Sequence, residues 1–160
     1  MFQAGDYVVY GGNGLCLIES IGVPSFQPSK GSPDYYFLRK TDDDSRIYVP
    51  VDTPLPIRCP MTQEEAESLL SALRLQKAEI PAKHDQKTIV KLCKDTLRSQ
   101  TAQATASVIQ LLHTLHPTGK MSGEEETILK KAESRLCGEL AYSLHITLKE
   151  AGSKLRAALN

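Results

Sequence analysis

Tyr7-Val8-Val9-Tyr10, then Gly11-Gly12-Asn13-Gly14, then Leu15-Cys16-Leu17-Ile18-Glu19-Ser20-Ile21: two β-rich runs around a glycine turn decide how the chain begins. Glycine reaches the positive φ that tight turns need, and the flanking residues are apolar, aromatic or β-branched, so the stretch predicts a hairpin. Working outward, a Pro-, Ser- and Gly-rich loop from Pro24 to Pro33 leads into Tyr35 to Lys40. The acidic turn Asp42-Asp43-Asp44-Ser45 then leads into Arg46 to Val49, a second hairpin. Four or five short strands with no helix between them, inside about 55 residues, suit a small, strongly bent antiparallel barrel of the SH3 or Tudor type. Such barrels usually bind rather than catalyse.

After Val51-Asp52-Thr53-Pro54-Leu55-Pro56 the apolar period changes from two to about 3.6 and stays helical to the end. Thr62 with Glu65, Ser122 with Glu125 and Thr147 with Glu150 have the spacing of capping boxes, so each predicts a helix start. The first box opens a helix with Ala66, Leu69, Leu70 and Leu73 on one face. A helix from about Asp85 to Leu97 turns Ile89, Leu92, Cys93 and Thr96 inward and lines up Lys87, Lys91, Lys94 and Arg98. A third, near Ala102 to Leu115, buries Val108, Leu111, Leu112 and Leu115 before His116-Pro117-Thr118-Gly119 breaks it. The fourth uses Ile128, Leu129, Ala132, Leu136, Leu140 and Leu144, and the last uses Leu148, Ala151, Leu155 and Leu159. The expectation is a two-domain α+β chain, a β-barrel over residues 1–58 and an all-α bundle over 59–160.

The chain has 160 residues, and no apolar run approaches the roughly 20 residues that cross a bilayer. With no secretory leader at its start, a cytoplasmic protein is expected. Cys16, Cys59, Cys93 and Cys137 are widely spaced and form no CxxC pair, which favours reduced thiols over a zinc or redox site. Gly11-Gly12-Asn13-Gly14 lacks the Lys-Ser/Thr of a phosphate loop. His113 and His116 lie one helical turn apart, but no neighbouring Cys or carboxylate completes a tetrahedral set. No nucleophile elbow or zinc-protease motif is present, so neither enzyme nor cofactor chemistry is expected. Net charge is zero, yet residues 1–80 hold seven Lys/Arg against eleven Asp/Glu and residues 81–160 twelve against eight. An acidic half joined to a basic half suggests two partners, the basic half facing a phosphate backbone.

Phe2-x-x-Gly5-Asp6-x-Val8-Val9-Tyr10, followed by Gly14, Ile18, Tyr36-x-Leu38 and Ile47-x-Val49-Pro50-Val51, resembles the opening of the CarD/CdnL family of bacterial transcription regulators. Arg58 stands at the arginine of the family's Gly-x-Arg. Met121-Ser122-Gly123-Glu124-Glu125, Ala132 and Glu139-Leu140-Ala141 resemble its later Leu-Ser-x-x-Glu…Ala…Glu-Leu-Ala block. The opening module also occurs in transcription-repair coupling factors, and the helical half separates the two. The resemblance implies a Tudor-like barrel that adds a strand edge to the lobe of the RNA polymerase β subunit. Leu38, Arg46, Tyr48 and Pro50 then fall at or near that interface, with Leu38 open to a second reading as barrel core. The resemblance further implies that the helical domain contacts promoter DNA near the upstream edge of the melted region. The family commonly wedges a tryptophan of Pro-x-x-Trp at the minor groove, whereas this chain has no tryptophan and carries Pro81-Ala82-Lys83-His84. His84 takes the wedge position, and Lys83, Lys87, Lys91, Lys94 and Arg98 are expected to follow the backbone. The alternatives are an adaptor that never touches DNA and a solvated helix face. The barrel's exposed edge can also pair with a second copy, giving a swapped homodimer in isolation.

Overall fold

In the computed structural model of the chain, which describes residues 2–25 and 34–160, contacts divide the protein into two units, Met1–Pro60 and Met61–Asn160. The expected loop over residues 24–33 lies outside the described residues from position 26 onward.

The first unit is a Tudor-like antiparallel sheet of β1 (Tyr7–Tyr10), β2 (Leu15–Gly22), β3 (Tyr35–Lys40), β4 (Arg46–Pro50) and β5 (Ile57–Arg58), in the order β4-β3-β2-β1-β5. The glycine turn is a single 3₁₀ turn, Gly11–Asn13, ended by Gly14 at φ 73° and ψ −151°. Side chains other than glycine's hydrogen are strained at that pair of angles. Strand alternation sends Val8, Tyr10, Cys16, Ile18, Tyr36, Leu38 and Val49 into one core. Between Ile18 and Ser20 the β2–β3 register slips by a bulge, leaving Glu19 as the extra residue on β2.

The second unit holds α1 (Gln63–Leu75), α2 (Gln86–Leu97), α3 (Ala102–Leu115), α4 (Gly123–Leu144) and α5 (Leu148–Leu159) around one core. All three capping boxes form, at Thr62/Glu65, Ser122/Glu125 and Thr147/Glu150. Asp85 and Thr101 cap α2 and α3. Two apolar positions depart from the expected pattern. Leu92 is exposed because α2 buries Ile89, Val90 and Cys93, a stripe rotated away from it, and Leu148 is exposed because it starts α5 beyond the packed face. Thr96 is only half-buried. The unit's first residue is held by α4: the buried Glu139 carboxylate accepts the Met61 N–H at 2.7 Å, and Ser143 Oγ donates to the Met61 carbonyl at 2.6 Å.

Candidate functional site

Two surfaces, one in each unit, collect the residues singled out from the sequence. On the sheet, Lys40 N–H donates to Ser45 O at 2.8 Å and Val51 N–H to Asp34 O at 3.1 Å. Hydrogen-bonded and non-bonded pairs alternate along an antiparallel ladder, so with Tyr36 opposite Val49 and Leu38 opposite Ile47, those pairs bond across β3–β4. The intervening residues Arg46, Tyr48 and Pro50 therefore turn their backbones away from β3. Among the described residues β4 pairs with β3 alone, at the end of the sheet. The Pro50 carbonyl accepts from Thr53 N–H at 3.0 Å and its nitrogen has no hydrogen, so the outward ladder stops there.

The same alternation sets the side chains. Tyr48 is 47% exposed and its ring meets Phe37 edge-on, centroids 5.1 Å apart at 82°. Glu19, thrown outward by the bulge, reaches Arg46 Nε at 3.5 Å and Arg39 Nε at 3.9 Å. Glu19, Ser20, Phe37, Leu38, Arg46 and Tyr48 line a depression of about 220 Å³. Leu38 lies at its floor and is completely buried. Its side chain belongs to the barrel core, the second reading the sequence left open, and Phe37, its neighbour in the strand, lies on the outer face. That parity was readable: if Tyr36 and Leu38 point inward, Phe37 points out.

On the helical unit, Lys87, Lys91, Lys94 and Arg98 are all exposed. At 3.6 residues per turn they fall within an arc of about 60° and span about 16 Å of axis. Lys83 and His84, also exposed, precede the Asp85 cap, and His84 Nδ1 lies 3.4 Å from the Pro81 carbonyl. Asp85 accepts from Thr88 N–H and Oγ1, and these bonds, the hydroxyl first, hold its carboxyl below the usual range. The stripe is not uniform. Lys94 Nζ lies 3.7 Å from Glu124 at the start of α4, and Arg98 lies 3.6 Å from Asp95. Lys83, Lys87 and Lys91 have no carboxylate at ion-pair distance among the described residues. Sequence reading missed Glu124, since only packing of α4 beside α2 brings it there.

His113 on α3 and His116 just past its end meet carboxylates from α4 that sequence spacing did not bring near them: His113 Nε2 lies 3.0 Å from Glu133, and His116 Nε2 lies 2.6 Å from Glu125. The two pairs act separately, and no cluster of three or more metal-ligating side chains occurs among the described residues. All four cysteines are free. Burial pushes the Cys16 and Cys93 thiols up to about 11, while Cys59 is exposed. No described helix is long and apolar enough to cross a membrane.

A CarD-like/TRCF RID domain model matches residues 2–58, and a CarD C-terminal domain model matches residues 61–156. A comparison with individually curated proteins found no match. CarD-like families are non-enzymatic regulators. The first match alone leaves the coupling factors open, and the second, over the helical unit, decides between them: the chain belongs to the CarD family, as a transcription-associated regulator that interacts with RNA polymerase.

Proposed function

We propose that the protein bridges RNA polymerase and promoter DNA and stabilises the open promoter complex. β4 adds to the edge of a sheet in the β-subunit lobe, with Arg46, Tyr48 and Pro50 on the contact. Lys83, His84, Lys87, Lys91, Lys94 and Arg98 lie along the DNA near the upstream edge of the melted region. Such a protein works in the cytoplasm, at the nucleoid, and without a cofactor. The observation that carries the DNA half is the single exposed cationic arc on α2, whose span of about 16 Å matches about five base steps. The polymerase half rests on a terminal strand whose outward backbone is bordered by an aromatic pair and stopped by Pro50. Without polymerase, the same edge can accept a second copy.

Footprinting of a polymerase–promoter complex tests this. The parent protein extends protection at the upstream edge of the bubble, and Lys87→Glu with Lys91→Glu removes it while a pull-down on the isolated β lobe is unchanged. Equal loss of both would contradict the division of labour. A pure adaptor is the second reading, favoured by the lack of tryptophan and by the carboxylates already beside Lys94 and Arg98. It predicts lobe binding with no added protection.

A further inference from the structure

The cationic arc of α2 is open at one end and occupied at the other. Lys87 and Lys91 face solvent with no carboxylate at ion-pair distance among the described residues. One turn further on, Lys94 meets Glu124 at 3.7 Å, both side chains well exposed at 59% and 58%. The two residues come from different helices, so the pair depends on the packing of α4 beside α2. Glu124 also sits in the first turn of α4, where the helix dipole favours a carboxylate and holds it near that position.

A carboxylate set against a lysine at this distance offers that lysine the same bond a DNA phosphate would. We infer that Glu124 is an internal competitor for the phosphate backbone: it occupies Lys94, shortens the working footprint of α2 to its N-terminal part, and weakens binding to free duplex. This rests on the reading of α2 as a DNA-facing helix. An exposed pair is worth little, so the competitor is displaceable. Held on the promoter by polymerase, the protein can exchange Glu124 for a phosphate; free in solution, it gains little from doing so. Glu124 is then a specificity-determining residue that biases the protein away from bulk DNA.

The test uses the full chain, a fluorescein-labelled duplex with a partly melted segment, and anisotropy titrations from low to physiological salt. Glu124→Gln is expected to tighten binding about two- to fivefold at low salt and to steepen the slope of log K against log salt by about one phosphate contact. Lys94→Gln changes little in the parent background, because that lysine is already engaged, and cancels the gain when combined with Glu124→Gln. Glu126→Gln removes the same charge from a carboxylate that lies 3.0 Å from Lys130 and leaves the slope unchanged. Coincident thermal melts show that the variants fold alike. A gain from Glu124→Gln that survives Lys94→Gln means Glu124 acts through net charge alone, and the inference falls; no gain overturns it as well. Failure of the underlying reading looks different: Lys87→Gln with Lys91→Gln then leaves DNA binding unaltered.

Discussion

Leu38 and Tyr48 sit on opposite faces of one pair of strands, and their substitution separates folding from binding. Leu38 is completely buried, so Leu38→Ala leaves a cavity in a small core and costs about 2–5 kcal/mol of stability. Tyr48→Ala removes an edge-on contact with Phe37 worth about 1 kcal/mol. Urea unfolding is expected to show the larger loss for Leu38→Ala, whereas the β-lobe pull-down at equal folded protein shows it for Tyr48→Ala. Glu125 carries a pH prediction. Burial, the largest single influence, pushes its carboxyl up, but hydrogen bonds with His116 and Ser122 together outweigh it and hold the group below its ordinary 4.5. A carboxyl depressed in the folded state adds stability above its unfolded pKa and loses that contribution as pH falls through the folded one. Glu125→Gln is therefore less stable than the parent at neutral pH, and the difference shrinks once the pH drops below 4.5, as acid titration of the helical signal at 222 nm can follow. The thiols separate by burial in the same way. With a maleimide at mildly alkaline pH, exposed Cys59 is expected to label first, and Cys16 and Cys93 only on unfolding.

Elements were legible where a local rule governed them, and obscure where distant packing did. The capping boxes at Thr62, Ser122 and Thr147 announced three helices, because a hydroxyl and a glutamate three residues on satisfy each other within one turn. Strands β1 and β3 followed from apolar, aromatic and β-branched runs bounded by turns. β5 escaped notice: two residues, Ile57 and Arg58, carry no period, and only their pairing with Val9 and Tyr10 makes them a strand. The same limit applied to the candidate sites. The lysine arc is a property of one helix and was visible in its 4-3-4 spacing, whereas Glu124 beside Lys94 and the clamp of Glu139 and Ser143 on Met61 join residues far apart in the chain. At this scale the arc itself carries the prediction. On the proposed reading Lys87→Glu with Lys91→Glu replaces two phosphate contacts by two repulsions, so the slope of log K against log salt is expected to flatten by about two contacts while binding to the β lobe keeps its affinity.

For the whole molecule, the bridging proposal makes the two surfaces depend on each other. The chain has zero net charge and its arc is partly occupied by its own carboxylates, so the proposal puts its affinity for free DNA at the weak end of nonspecific binding, on the order of 10⁻⁴ M at physiological salt. On the bridging proposal, docking on polymerase changes the arithmetic, because it raises the effective concentration of the helical unit at the promoter to about millimolar, and a contact too weak to form alone becomes largely occupied. Under the same proposal the sheet unit contributes by not competing, since residues 1–60 hold five Lys/Arg against seven Asp/Glu and offer the phosphate backbone no net attraction. Bridging therefore predicts an asymmetry between two defects. Tyr48→Ala, which leaves the lysine arc untouched, loses the upstream footprint at low protein concentration and regains it as the concentration rises, since only recruitment is weakened. Lys87→Glu with Lys91→Glu stays on polymerase yet gives no footprint at any concentration. A quantitative footprint titration against both variants checks this, and restoration of the lysine variant by excess protein would place the DNA contact on some other surface.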